Sequence, residues 1–327
     1  MSALGIGNSA TKYTPLLGEY ENKYGLLFDG TNDYLLGGIT GHAPANGTVK
    51  PISPSGFTVA AWCKLDIDGV SDSYNETSAH VIVSTSLNGG WVLKYENKRF
   101  TFRIKLVDGD GNFAATAVKS TFAMMRNDGN DKRFLHREDG WHFVVGTWDG
   151  DRVKNLYVDG GRDVAGSQGG SGTPDYGSML EDADSKETES APSGGAYTIK
   201  YDTANDRDEI DLMIGTSGTY NAGTNVTSSN IEFWEGYIGD IGIWDKELTS
   251  AEITALYNLH TPTDMSKTQP DNLQAYYKME EGSGTALIDS TGKVGAAIVG
   301  GVKGTIHGAA FSTVVPTTDV SGYPNYQ

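Results

Sequence analysis

Apolar and polar side chains alternate along residues 100–106: Phe100, Phe102, Ile104 and Leu106 fall on one side of an extended chain, Thr101, Arg103 and Lys105 on the other. A period of two marks an antiparallel strand with one face in a core and one toward water. Phe57, Val59, Ala61 and Cys63 keep the same phase. Residues 80–87 and 91–95 flank Asn88-Gly89-Gly90, the composition of a hairpin turn. Within 141–160, WHFVVGTWDGDRVKNLYVDG, two strands meet at Asp149-Gly150-Asp151, and Asp159-Gly160 opens the next turn. Residues 24–36, YGLLFDGTNDYLL, read as strand, turn, strand. One stretch breaks the period. After an aromatic-rich strand ending at Trp244, Thr249 and Glu252 form a T-x-x-E capping box, and Ile253, Leu256 and Tyr257 follow at helical spacing. The pattern predicts an all-β protein with one short helix at 249–258 that drops its apolar face onto a sheet.

Three regions follow from these signals. Residues 1–20 lack periodicity and read as an N-terminal arm, expected to be held by packing in an assembly. Residues 21–260 carry the strands, interrupted by a Gly/Ser-rich insertion at 160–196. Its acidic residues, Glu181, Asp182, Asp184, Glu187 and Glu189, read as a solvated face. Residues 261–327 hold a single hydrophobic stripe, too little for a core of their own. The tail is therefore expected to add strands to the main sheets, in its own or a neighbouring subunit.

Composition narrows the classes. Gly is heavily used (43 of 327 residues) and no run of 18 apolar residues exists, which suits a turn-rich β protein and excludes a helical membrane span. The opening MSALGIGNSATKY has no basic segment followed by an apolar one, so it does not read as a secretory signal. A net charge of −17 repels phosphate backbones and excludes nucleic acid as a partner. Cys63 is the single cysteine, so no disulfide framework exists, and its phase predicts a buried, inert thiol. The sequons at Asn46, Asn75 and Asn225 are no more than chance supplies.

Four motifs carry a resemblance. They are the F-D-G-x-x-D-Y of Phe28 to Tyr34; the strand with Trp62 and Lys64; the W-H…T-W-D-G…L-Y-V-D-G of Trp141 to Gly160; and the closing strand and helix from Gly236, Ile238 and Asp240 through Trp244, Leu248 and Glu252 to Tyr257. Together they resemble laminin-G-like domains of the concanavalin A-like lectin/glucanase superfamily. A tail motif, LQAYYKMEEGSGTALIDSTG at 273–292, resembles one that precedes the F-D-G strand in many such domains. The resemblance implies an all-β, two-sheet antiparallel jelly-roll sandwich. It also implies a structural Ca2+ tying the opening to the closing strand, with Asp29 and Asp240 at the matching positions and Asp33 a nearby spare; read alone, Asp29 and Asp33 are equally ordinary turn residues. For sugar binding it points to Trp91, Trp148, Tyr176, Tyr220 and Trp234 as stacking candidates.

Hydrolases of this superfamily resemble one another in an E-[IL]-D-x-x-E or E-x-D-x-E strand whose catalytic carboxyls lie about 5 Å apart. Glu209 and Asp211 fill the first two places, but Met213 and Ile214 stand where the third carboxyl belongs. A thioether cannot protonate a leaving oxygen, so no catalytic residue is assigned. His142 has no partner nearby in sequence and reads as a strand histidine with a satisfied hydrogen bond. The expected function is a non-catalytic structural or adhesive protein of the kind found in tailed-phage virions. Its expected partners are other structural subunits, its own copies and surface glycans, with neither nucleic acid nor membrane. The alternatives are an exported glycan-binding adhesin or lectin, extracellular or at a cell surface, and then a glycoside hydrolase or polysaccharide lyase.

Overall fold

The computed structural model describes residues 20, 22–40, 56–65, 79–85, 90–96, 99–108, 110, 113–119, 141–151, 153–160, 187–188, 197–199, 211–221, 226–258, 262–292 and 304–316. Residues 1–19 of the expected arm and most of the acidic insertion lie outside these. Strands are numbered in chain order. Sheet I runs in space from β10 (Glu187–Thr188) through β9 (Val153–Val158), β8 (Trp141–Trp148), β3 (Phe57–Leu65), β15 (Glu235–Trp244) and β1 (Gly25–Asp29) to β18 (Ala310–Ser312), with β16 (Leu273–Tyr277) also on β15. Sheet II runs from β11 (Thr198–Ile199) through β6 (Arg99–Val107), β5 (Trp91–Glu96), β4 (Ala79–Ser84), β12 (Asp211–Ile214) and β2 (Tyr34–Thr40) to β17 (Gly304–His307), with β7 (Phe113–Lys119) on β6. A separate hairpin joins β13 (Ser217–Asn221) to β14 (Val226–Ile231). Pairing is antiparallel throughout the described residues.

The alternation dictates the sandwich. Phe57, Val59, Ala61 and Cys63 of β3 join Phe100, Phe102, Ile104 and Leu106 of β6 in one buried cluster between the sheets. Phe57 meets Phe102 edge-on at 5.8 Å. Burial pushes the Cys63 thiol well above its ordinary value, aided by the charge of Asp159, so the thiolate is disfavoured as expected. The sheets come close at Gly146 of β8, where a Cβ would fall 2.6 Å from the Phe102 ring. Gly146→Ala should therefore lower stability by about 1–3 kcal/mol through overpacking, read as a lower urea midpoint; an unchanged midpoint would mean that the sheets have room to give.

One feature departs from the half-buried strands expected. The outer face of sheet I carries a second core in which Ala60, Trp62, Phe143, Val145 and Trp244 lie under Ile253, Leu256 and Tyr257 of the helix α1 (Ser250–Tyr257). Strands β3 and β8 are thus buried on both faces. The helix begins at the foreseen capping box: the Thr249 hydroxyl accepts the Glu252 N–H at 3.3 Å, and the Glu252 carboxylate accepts the Thr249 N–H at 2.8 Å. It ends at Asn258, whose left-handed backbone (φ 42°) sends its N–H back to the Thr254 carbonyl. Among the described residues no helix is long and apolar enough to cross a membrane.

The tail returns into both sheets of its own chain. Strand β16 pairs with β15, β17 with β2 and β18 with β1. As a result two sheet-crossing turns sit side by side, the one after β1 (29–33) and the one after β17 (308–309). They touch so closely that a Cβ on Gly308, itself at φ +83°, would fall 1.8 Å from Asp33 Oδ1. Only glycine fits there.

Candidate functional site

The structure corrects three of the aromatic candidates. Trp91 and Trp148 face inward, within 5.4 and 6.1 Å of the Phe57 ring, and Trp234 gives its indole N–H to the Tyr237 carbonyl. All three are at most 1 % exposed, so no sugar ring can reach them. Their positions follow from strand parity: Trp91 shares a face with Leu93 and Tyr95, Trp148 with Val144. Tyr220 lies on β13 opposite Thr227 of β14. Tyr176 lies outside the described residues.

The acidic candidates separate as well. Asp29 pairs with Glu235 across β1 and β15, whereas Asp240 lies five residues further along β15, roughly 15 Å away at strand rise. Calcium ligands stand about 2.5 Å from the ion, so one ion cannot take both carboxylates. Asp29 and Asp33 instead brace a turn. Asp29 Oδ1 accepts the N–H groups of Thr31, Asn32 and Asp33, and Asp33 Oδ2 accepts the Asp29 N–H at 2.9 Å. Burial raises the Asp29 carboxyl, but those N–H bonds outweigh it and hold the group below its ordinary value. Burial, reinforced by the charge of Asp29, raises Asp33. Among the described residues no group of three His, Cys, Asp or Glu side chains is placed to hold a metal.

Asp240 serves a different purpose. Strands β1 and β16 abut end to end along one edge of β15, and the junction falls at Gly239-Asp240, where the register with β3 also shifts. Such a bulge re-aims a side chain. The buried carboxylate accepts the Tyr20 hydroxyl at 2.6 Å and the Asn22 amide at 2.7 Å. Glu280, just after β16, accepts the N–H groups of Lys23 and Tyr24, and the Lys278 ammonium lies 5.1 Å from both the Tyr20 and Tyr276 rings. Together these contacts tie the entering segment to the tail. Burial, with help from the Glu280 charge, pushes the Asp240 carboxyl up to about 7.

His142 has the carboxylate partner that its neighbours in sequence do not supply. Its Nδ1 lies 2.7 Å from Asp159 Oδ2, and Asp159 Oδ1 accepts the Phe143 N–H at 2.9 Å. Cys63 stands opposite His142 in the β3–β8 register, giving a Cys–His–Asp series. All three are at most 3 % exposed, so the series has no opening to a substrate. On the strand that would carry hydrolase chemistry, Met213 and Ile214 are buried at the places of the third carboxyl. Glu209 lies outside the described residues.

A two-sheet antiparallel sandwich is the architecture of concanavalin A-like jelly rolls. Residues 36–180 match the Laminin_G_3 family model, described as Concanavalin A-like lectin/glucanases superfamily. The match takes in less than half of the chain. No curated protein matches significantly. One similar solved structure is a Bacteroides ovatus ATCC 8483 protein described as carbohydrate binding, at 14 % identity and a TM-score of 0.49, covering 92 % of this chain and 63 % of its own. Another is the receptor binding domain of botulinum neurotoxin D, at 15 % identity and a TM-score of 0.40, covering 75 % of this chain and 45 % of its own. The chain spans less than two thirds of either protein. Likenesses this distant carry neither ligand nor activity to this chain.

Sequence reasoning missed one surface feature. Tyr34 of β2 and His307 of β17 face each other in register, their rings stacked 4.5 Å apart at 14°. The signal would have been the pairing of the tail strand with β2, which periodicity alone does not give.

Proposed function

We propose that the chain is a non-catalytic contact protein: a lectin-like jelly roll that meets glycans and neighbouring subunits as a structural component of a virion, in a capsid decoration, fibre or tail. The observation that carries the non-catalytic reading is the β12 strand. There a superfamily of lectins and glucanases would need a third carboxyl, and Met213 and Ile214 stand buried instead. A lectin-like scaffold without its acid retains the capacity to bind and lacks the means to cut. The virion setting rests on the tail motif at 273–292 and its resemblance to phage structural proteins. A net charge of −17 suits a subunit that stays soluble until it takes its place among others.

Two measurements test this. On a printed glycan array the full chain should be retained by at least one oligosaccharide, and mass spectrometry of purified particles from the native source should find it in fixed ratio to the other subunits. Particles lacking the chain, with glycan retention intact, would favour the exported adhesin. Failure on every glycan would remove the lectin reading.

A further inference from the structure

We propose that the Tyr34–His307 stack at the β2–β17 edge of sheet II, next to the turn at 29–33, offers the outer face of its His307 ring as a platform for a pyranose ring. This rests on the glycan-contact reading above and gives it a site.

Leu35 and Ile306 belong to the core between the sheets, so alternation places their neighbours Tyr34 and His307 on the outer face of sheet II. Both rings are half-buried. Of the other half-buried aromatics among the described residues, Tyr20 and Tyr237 lie against the outer core of sheet I, Phe311 against the inner core, and Tyr24 against Gly282 and the Phe311 ring, while Phe233 joins neither core and has no stacked partner beside it. The Tyr34–His307 pair joins neither core. Among the described residues β17 is the last strand of sheet II, so the His307 ring stands at an edge. Burial lowers the His307 pKa, which keeps the imidazole neutral near pH 7 and its ring face apolar. The two rings cover each other's facing sides, so the outer face of His307 receives the C–H face of a sugar and Tyr34 backs it, while hydroxyls at the sugar's rim need acceptors and donors.

The adjoining turn supplies them. Asp29 is exposed and commits Oδ1 to three backbone N–H groups, which leaves Oδ2 to accept from a sugar hydroxyl. Asn32 is exposed beside it. The turn is held from beneath by Asp33, one oxygen accepting the Asp29 N–H and the other resting on Gly308. That bracing orders the rim before any ligand arrives, which lowers the entropic cost of binding. A shallow, one-sided platform binds weakly alone, and repetition on a particle multiplies its strength.

The test takes an oligosaccharide retained by the wild-type chain on the printed array and measures its affinity by NMR titration. In the wild type, the His307 ring and Tyr34 amide signals should shift on addition. Tyr34→Ala and His307→Ala should each weaken binding about tenfold, and Tyr34→Phe should stay within about threefold, because stacking survives without the hydroxyl. Shifts confined to other residues, or equal affinity in the alanine variants, would overturn the platform and leave the glycan-contact reading standing. A wild-type chain retained by no glycan would overturn both.

Discussion

Asp159→Ala is expected to lower the stability of the protein by about 3–5 kcal/mol, without touching any exposed surface. The carboxylate is fully buried and serves two groups at once, the His142 ring at 2.7 Å and the Phe143 N–H at 2.9 Å. Truncation takes the acceptor from both inside a low-dielectric core, where no water replaces it. The backbone adds to the demand: Asp159 sits at φ 53°, a left-handed conformation that Asp and Asn tolerate better than Ala. Asp159→Asn keeps one oxygen and the backbone preference, so it should cost distinctly less. Urea unfolding followed by Trp fluorescence gives both values. A loss below about 1 kcal/mol for Asp159→Ala would mean that the His142–Asp159 pair is not a structural device.

The second large effect is a dependence on pH. The Asp240 carboxyl has an ordinary value of 3.8, and in the folded protein burial raises it to about 7. Between those values the folded chain holds a proton that the unfolded chain has released. The stability this confers is complete below 3.8, shrinks as pH rises, and is gone above about 7. The full span is at most about 4 kcal/mol, because the segment around Tyr20 and Asn22 can relax toward water. The groups facing Asp240 are Tyr20 and Asn22 from the entering segment and Tyr276, Lys278 and Glu280 from the tail, with Asp264 beyond Tyr276. Asp33 and Glu281 are also raised, while His80 and His307 are lowered, so the wild-type curve is a sum. Asp240→Asn isolates the one contribution: its advantage over wild type should grow from pH 5 to pH 8 in paired thermal midpoints. A constant difference across that range would contradict the assignment.

The sandwich was legible because its signals are local. The alternation at 100–106 and the Asp149-Gly150-Asp151 turn each fix a strand or hairpin from a few residues, and the capping box fixes α1. The partner of His142 was within reach too. Once the hairpin of β8 and β9 is drawn about its turn, Val144 faces Val158, and Asp159 then lies beside Phe143. Treating Asp159-Gly160 only as a turn hid that consequence. The buried tryptophans were likewise readable from parity. What no periodicity encodes is the pairing of strands far apart in sequence. The bulge that turns Asp240 toward Tyr20, 220 residues earlier, and the stack of Tyr34 on His307 both depend on where the tail docks. The second core was legible in part: the capping box and helical spacing put α1 on a sheet, but that it covers β3, together with residues 265–276, depends on where the tail docks.

The most direct measurement incubates the full chain with the glycan it retains and follows the mass of that glycan over time. A carboxyl-poor β12 strand and a sealed Cys63–His142–Asp159 series predict binding with the mass of the glycan unchanged. Shortened or unsaturated oligosaccharides, released by wild type and not by a Glu209→Gln variant, would show that the jelly roll is an enzyme.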